Sequence, residues 1–345
     1  MPSREARILV TGGAGFIGFH VCQALAEAGC QVFSVDSVTD YYDPTLKRAR
    51  LAQLARFEHF QAFETSIEDI AALQAVFNEA RPDIVIHLAA QAGVRYSLEH
   101  PRSYINANLN GTFNVMEMVR VHRPRHFLIA STSSVYGANT VIPFREDHRA
   151  DYPITLYAAT KKATEAMTHS YAHLWNLPTT VMRFFTVYGP WGRPDMALFK
   201  MTKKLLADEE IDVYGEGEMF RDFTYIDDTV EAILRLADSP PATPTGSPET
   251  TFGVDGESRS PVAPFQVVNV AGGQPVKLMD FVRAIERHVG KPARLRFLPM
   301  QPGDMRTTYA NADLVEKLTS TRPATTIDVG VGRFIEWYRS YYGVT

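Results

Sequence analysis

Cysteine is nearly missing from this chain: Cys22 and Cys30 are the only two among 345 residues. Two thiols build neither a disulfide framework nor a zinc site, so both are expected to be reduced, with Cys22 packed inside an apolar helix pattern. No apolar run approaches the length of a bilayer span, and a strand pattern starts too near the N-terminus to leave room for a signal peptide. The expectation is a soluble, cytoplasmic protein with no membrane partner. An excess of basic charge is also lacking. The net charge of -4 gives no reason to expect nucleic acid, although a few local arginines can still hold a phosphorylated small molecule. Repeats and low-complexity tracts that would alter the fold class are absent as well. The composition that remains, 45% hydrophobic and 21% charged, is that of a globular protein long enough for one large domain or two modest ones.

The N-terminal pattern is the first that carries chemistry. Arg7-Ile8-Leu9-Val10 is a short apolar run that ends in Thr11-Gly12-Gly13-Ala14-Gly15-Phe16-Ile17-Gly18. An amphipathic helix follows and stops at Gly29, and a second strand, Gln31 to Val35, delivers Asp36. Glycines between strand and helix let backbone approach a pyrophosphate at a helix N-terminus, and an acid about 20 residues on accepts hydrogen bonds from an adenosine ribose. The spacing Gly12, Gly15, Gly18 is GxxGxxG, the form found in short-chain dehydrogenase relatives. A carboxylate at Asp36 repels a 2'-phosphate and so favours NAD over NADP.

Strand and helix signals then alternate. The charges of the Asp40–Arg50 stretch read mostly as a solvated face. Strands are expected near Phe57–Phe63, Ile84–Ala90, Phe127–Ala130 and Thr179–Phe185, with helices near Glu68–Ala80, Pro101–Val121 and after Pro153. Such order implies a parallel, doubly wound α/β sheet, because parallel strands need crossovers. His87, inside an apolar run, reads as a satisfied core histidine. The Pro101–Val121 helix is apolar on more than one face, a pattern that suggests a protein partner. Past Pro190 the alternation loosens, with helices near Met196–Leu206, Thr229–Ala237 and Leu278–Val289, and strands at Ile211–Tyr214, Phe265–Val270 and Arg294–Leu298. Ser239–Pro264, rich in Pro, Gly, Ser and Thr, reads as an exposed and mobile loop. A last helix near Phe334–Tyr341 carries Trp337 and Tyr338 as core aromatics.

Tyr157 and Lys161 stand four residues apart at the start of the helix after Pro153, so a phenol and an ammonium leave the same face. A tyrosine with its ordinary pKa of about 10 is a poor base near neutrality, and a neighbouring cation favours the phenolate. The hydroxyl run Ser131-Thr132-Ser133-Ser134 ends a strand, where ligands of such sheets bind; taken alone it also reads as a turn satisfying its own backbone.

With the glycine motif, Asp36, His87-Leu88-Ala89-Ala90, Thr132 and the Tyr157/Lys161 pair in hand, the chain resembles the extended short-chain dehydrogenase/reductase superfamily, and within it the bacterial UDP-glucuronate 4-epimerases. The resemblance runs nearly end to end. Its most specific pieces are Gln91 to Ser97, Arg183 to Met196, Arg221 to Asp228 and Gln301 to Asp304. It implies a Rossmann domain for NAD, mainly residues 1–190, a smaller α/β domain for the UDP-sugar, mainly 191–345, chain crossing between them, and a homodimer. The cofactor would be held by Gly12, Gly15, Phe16, Ile17, Gly18, Asp36, Ile67, Leu88, Ala89, Ala90, Asn108, Tyr157, Lys161 and Phe185. The substrate would meet Arg95, Thr132, Ser133, Ser134, Thr186, Arg193, Arg221 and Asp304, with Arg221 on the diphosphate rather than paired at the surface with Asp222. No metal is implied.

The implied reaction is C4 epimerisation through a 4-keto sugar, with Tyr157 as base, Thr132 on the same oxygen, and Lys161 holding the nicotinamide ribose and keeping the Tyr157 pKa low. The ketone is beta to the C6 carboxylate, so the intermediate must be kept from losing carbon dioxide; Thr132, Ser133, Ser134, Thr186 and Arg193 would hold that carboxylate. Neighbouring families differ at these positions. Nucleotide-sugar 4,6-dehydratases carry an Asp-Glu pair where this chain has Ser133-Ser134, and UDP-glucuronate decarboxylases commonly carry Glu and Asn at the positions of Ser134 and Thr186. UDP-galactose 4-epimerases also tend to have Asn at Thr186, which leaves the neutral-sugar epimerase as the nearest alternative. A sensor without turnover typically loses the Tyr/Lys pair. One departure is Ser66, where relatives usually carry an Asp facing the adenine.

Overall fold

Seven parallel strands form the central sheet of the computed structural model, which describes residues 2–245, 258–301 and 304–344. The strands and helices of the first half alternate as β1 (Arg7–Thr11), α1 (Phe16–Glu27), β2 (Gln31–Asp36), α2 (Pro44–Leu54), β3 (Phe60–Glu64), α3 (Ile70–Ala80) and β4 (Ile84–His87). Two one-turn helices, α4 (Tyr96–Glu99) and α5 (Pro101–Tyr104), lead to α6 (Thr112–His122), β5 (His126–Thr132), α7 (Leu156–Trp175) and β6 (Thr179–Phe184). The second half contains β7 (Thr186–Tyr188), α8 (Ala197–Leu206), β8 (Ile211–Tyr214), β9 (Phe220–Tyr225), α9 (Ile226–Ala237) and β10 (Phe265–Val270). It closes with β11 (Pro275–Lys277), α10 (Leu278–Val289), β12 (Leu295–Leu298), β13 (Thr307–Thr308), α11 (Asp313–Thr319) and α12 (Ile327–Tyr342).

Sheet order is β10-β6-β5-β4-β1-β2-β3. The chain therefore reverses direction beside β1, between β4 and β2, which is where doubly wound sheets open a ligand crevice at their carboxyl ends. β1, β4, β5 and β6 are almost wholly buried, as strands covered by helices on both faces must be. Their side chains divide into two cores. Ile8, Val10, Ile86, Leu128 and Met182 pack toward α1 and continue into the second half of the chain. Leu9, Val85, Ile129 and Val181 pack toward α3 and α6. The short strands of the second half pair apart from this sheet, β9 with β7, β11 and β13, and β8 with β12.

One expectation changes. The Pro101–Val121 helix is interrupted by a π-helical segment at Ile105–Gly111. There the Asn108 amide accepts from Gln91 N and donates to Gln91 O and Thr160 Oγ1, tying the π-helical segment to its neighbours. Most charges of the Asp40–Arg50 stretch, those of Asp40, Asp43 and Arg48, are exposed as expected, and two are not. Lys47 is 6% exposed and Arg50 is fully buried, for reasons given below. His87 is the satisfied core histidine expected: Thr11 and Thr112 hydroxyls flank its ring at 2.7 and 3.0 Å. Tyr338 is buried and Trp337 packs against the same core. Most of the expected Ser239–Pro264 loop, residues 246–257, lies outside the described residues.

Candidate active site

The cleft opens where β1 turns into α1. Gly12 has φ +79°, and a Cβ there would lie 2.7 Å from the Ala89 nitrogen, so only glycine lets β1 and the chain leaving β4 approach this closely. A Cβ on Gly18 would lie 2.0 Å from the Gly12 carbonyl oxygen. Gly15 caps α1 without a side-chain acceptor, and the first helical turn has no acid. Its free N–H groups and positive dipole end face the cleft, which fits a pyrophosphate. Asp36, at the end of β2, accepts from Ala14 N at 3.0 Å and Val38 N at 2.8 Å. Its carboxylate is thereby fixed on the cleft wall with lone pairs to spare for ribose hydroxyls.

Gly12, Gly15, Phe16, Ile17, Gly18, Asp36, Ile67, Leu88, Ala89, Ala90, Thr132, Tyr157, Lys161, Phe185 and Arg193 all line this one cleft. Ser66 lines it too, its hydroxyl accepting from Glu68 N. Asn108 stands behind the wall, its amide engaged with Gln91 and Thr160.

Tyr157 is carried by the first turn of α7, which starts where it does because the Thr155 hydroxyl accepts from Ala158 N. Burial pushes its phenol above the ordinary tyrosine range, and the Thr132 hydroxyl and Arg193 guanidinium pull it part of the way back. The expected assistance from Lys161 takes a different form. Its Nζ donates to the Ala130 carbonyl at 2.9 Å, and burial lowers its own pKa from 10.5 to about 8 against the opposing influence of Glu165. Arg193 is a second cation that favours the Tyr157 phenolate. Beneath Lys161, Glu165 accepts from Ser131 Oγ at 2.6 Å and from Arg183 Nε and Nη2 at 2.9 and 2.8 Å. That bidentate pair ties α7 to β5 and β6 just under Thr132.

The remaining predicted residues fall into two groups. Ser133 and Ser134 form the turn after β5, where Ser134 N donates to Thr132 Oγ1 at 3.2 Å. Thr186 opens β7, opposite Phe223 of β9. Farther along, Arg95 meets Asp304 at 3.4 Å and lies over the Tyr214 ring. Arg221 is drawn toward Asp304 as well, although burial lowers its pKa, and it donates to the Phe220 and Arg306 carbonyls. It is not a surface partner of Asp222, which instead accepts from Gly272, Gly273 and Ala310 N–H groups.

Sequence reasoning missed Lys47, Arg50 and Tyr41. Lys47 Nζ donates to the Thr39 carbonyl at 2.8 Å and borders the cleft beside Asp36. A signal existed: Leu46, Lys47, Arg50 and Leu54 recur at helical spacing and together form the buried face of α2. Read for apolar residues alone, that stripe hid its two cations.

A glycine turn at a bare helix N-terminus, an acid fixed on the cleft wall and a half-buried tyrosine one turn from a buried lysine at one strand-end cleft define a dinucleotide-dependent enzyme of the short-chain dehydrogenase type. The chain belongs to the NAD dependent epimerase/dehydratase family, whose model matches residues 8–248. It is 54% identical over 337 residues, 97% of this chain and 98% of the other, to a probable UDP-glucuronate 4-epimerase of Rhizobium meliloti. Among solved structures it is similar to the Bacillus cereus UDP-glucuronic acid 4-epimerase in complex with UDP-glucuronic acid and NAD. There the TM-score is 0.83 at 29% identity, covering 97% of this chain and 99% of that one. It is also similar to the Thermotoga maritima UDP-glucose 4-epimerase with UDP-glucose, at TM-score 0.82, 28% identity and the same coverage of both chains.

Proposed function

We propose that this chain interconverts UDP-glucuronate and UDP-galacturonate by inversion at C4, using NAD that stays bound through the cycle. The observation that carries the reading is Tyr157, half-buried near Thr132 and Arg193 on the wall of the same cleft as the glycine turn. Near end-to-end similarity to enzymes named for that sugar supports the substrate. NAD, when bound, supplies a reversible hydride acceptor for the sugar carbon. Everything else is work for the protein. Tyr157 takes the proton from the 4-hydroxyl and returns it after the keto sugar has turned. Thr132 donates to the same oxygen and so stabilises the charge that forms there. Lys161, pinned to the Ala130 carbonyl, holds the nicotinamide ribose. The hydroxyls of Ser133, Ser134 and Thr186, with the Arg193 guanidinium, hold the sugar carboxylate, and Arg95, Arg221 and Asp304 anchor the nucleotide end.

Restraining the carboxylate matters because a C4 ketone beside a free C6 carboxylate loses carbon dioxide when the bond between C5 and C6 aligns with the carbonyl. One hydrogen bond to a charged group contributes about 1.5 to 3 kcal/mol, enough to shift that partition by one or two orders of magnitude.

The finer assignments rest on the same reading. Residues 1–190 bind mainly the cofactor and 191–345 mainly the sugar, with β10 crossing back into the first sheet. A homodimer in the cytoplasm is the working form; the exposed Phe113 and Val121 of α6 support the self-contact, and among the described residues no helix is long and apolar enough to cross a membrane.

The test is to incubate purified protein with UDP-glucuronate or UDP-glucose, without added NAD, and resolve products by NMR. UDP-galacturonate alone is expected from the acid. A UDP-pentose would show that decarboxylation wins, turnover of UDP-glucose alone would reassign the enzyme to neutral sugars, and bound NAD with no turnover would make it a sensor.

A further inference from the structure

The segment from Tyr41 to Arg50 reaches across to residues 191–195 at two points that the mechanism above does not use. Arg50 donates from Nη1 to the Ala14 carbonyl and the Tyr42 hydroxyl, both at 2.8 Å, and from Nη2 to the Trp191 carbonyl at 2.6 Å. Ala14 lies in the glycine turn, and its N–H is already held by Asp36, so the cofactor loop is fixed from both sides. Trp191 has φ +59°, a left-handed conformation that is costly for a bulky side chain and persists only where its surroundings impose it. Those surroundings are the Arg50 hydrogen bond on its carbonyl and the rings of Phe19, Trp337 and Tyr341 packed about its indole. Arg193 follows two residues later.

The second crossing is at Tyr41. Its hydroxyl donates to Asp195 Oδ2 at 3.0 Å, and the same carboxylate takes Arg193 Nε at 3.0 Å and Nη2 at 2.6 Å. Burial alone would raise Asp195, but Arg193 and the Tyr41 hydroxyl outweigh it and hold the carboxyl below its ordinary range. The Tyr41 ring also lies 5.9 Å from the Arg193 guanidinium carbon. The turn that leads to Arg193 and the carboxylate that holds its head group are thus both tied from the Tyr41–Arg50 segment.

We propose that Arg50 and Tyr41 are positioning residues for Arg193, and so determinants of acid over neutral sugar although neither is assigned to the substrate. Arg50 locks the strained turn at Trp191 to the glycine loop, and Tyr41 locks Asp195, so the guanidinium is oriented before a carboxylate arrives. This rests on the reading of Arg193 as partner of the sugar carboxylate. A guanidinium less firmly held loses that preorganisation for a UDP-uronate while leaving the binding of a UDP-hexose, which has no carboxylate, unchanged.

The experiment compares wild type, Tyr41→Phe and Arg50→Lys as purified holoenzymes. Titration calorimetry with UDP-glucuronate and with UDP-glucose is run beside steady-state kinetics, NAD content and melting temperature. Tyr41→Phe, which deletes one hydroxyl, is expected to weaken UDP-glucuronate at least about tenfold in Kd and KM, equivalent to about 1.4 kcal/mol. UDP-glucose binding should stay within about twofold and NAD content unchanged. Arg50→Lys keeps the charge but cannot fork between Ala14 and Trp191, so it is expected to lose acid selectivity in the same direction. Wild-type affinities in both variants would overturn the inference. So would equal losses for both sugars, the signature of a merely structural role. A wild-type enzyme indifferent to UDP-glucuronate would overturn the functional reading and this inference with it, whereas an active wild type with unaltered variants would overturn the inference alone.

Discussion

Glu165→Gln removes one negative charge from beneath the catalytic helix and leaves its shape almost unchanged. The carboxylate is 4% exposed and faces Arg183, 3% exposed, at 2.8 Å, while Ser131 and Lys162 donate to it at 2.6 and 3.2 Å. Stripping the charge leaves a buried guanidinium without its counter-ion, a change that costs about 3 to 5 kcal/mol in comparable pairs, against a typical total stability of about 5 to 15 kcal/mol. The variant should therefore fold but melt several degrees lower. A second effect separates this account from simple destabilisation. Glu165 is the influence that raises the Lys161 pKa, which burial has lowered to about 8. Without it the folded-state pKa falls further, Lys161 loses its proton at lower pH, and the alkaline limb of kcat/KM moves toward neutrality. Scanning calorimetry and kcat/KM measured from about pH 6 to 9 report the two effects independently. A loss of stability below about 1 kcal/mol together with an unmoved alkaline limb would refute the reasoning.

Three further outcomes are expected. Tyr157→Phe keeps the ring and deletes the proton acceptor, so kcat should fall by about 10² to 10⁴ with NAD still bound, read from product NMR and from the absorbance of the purified protein. Gly18→Ala places a methyl 2.0 Å from the Gly12 carbonyl oxygen; overpacking of about 1 to 3 kcal/mol at the turn should give protein that purifies depleted of NAD. Asp222 is pushed by burial from 3.8 up to about 6, so between those values the native state binds more protons than the unfolded chain. Its contribution to stability is complete below the unfolded pKa and is lost as pH rises through about 6, a slope that Asp222→Asn should remove in melting curves.

The first half of the fold was legible because its signals are local. Arg7–Val10 with the glycines after it, the run at Ile84 and the period of α7 each declare an element within a few residues, and parallel strands leave few topologies to consider. That Tyr157, Lys161 and Thr132 would share one cleft was legible for the same reason, each being tied to an element boundary or a helical spacing. The second half resisted because β7, β11 and β13 are two or three residues long. Such strands exist through partners far away in sequence, and no periodicity announces them. Arg50 was not singled out because its hydrogen-bond acceptors lie far off in sequence, on the glycine turn and on the chain near Trp191. The electrostatic influence of Arg193 on Tyr157 likewise joins residues 36 positions apart, invisible to any spacing rule. The π-helical segment at Ile105–Gly111 carries Asn108, bonded to Gln91 and Thr160, which only the packed structure brings within reach.

Transfer of hydrogen at C4 with the cofactor retained is the central claim, and isotope placement tests it most directly. UDP-glucuronate carrying deuterium at C4 is incubated with the purified enzyme in ordinary water, without added NAD, and the product is read by proton and deuterium NMR. The account predicts UDP-galacturonate with deuterium still on C4 and no exchange with solvent. Replacement of that deuterium by a solvent proton in the epimerised product would contradict it.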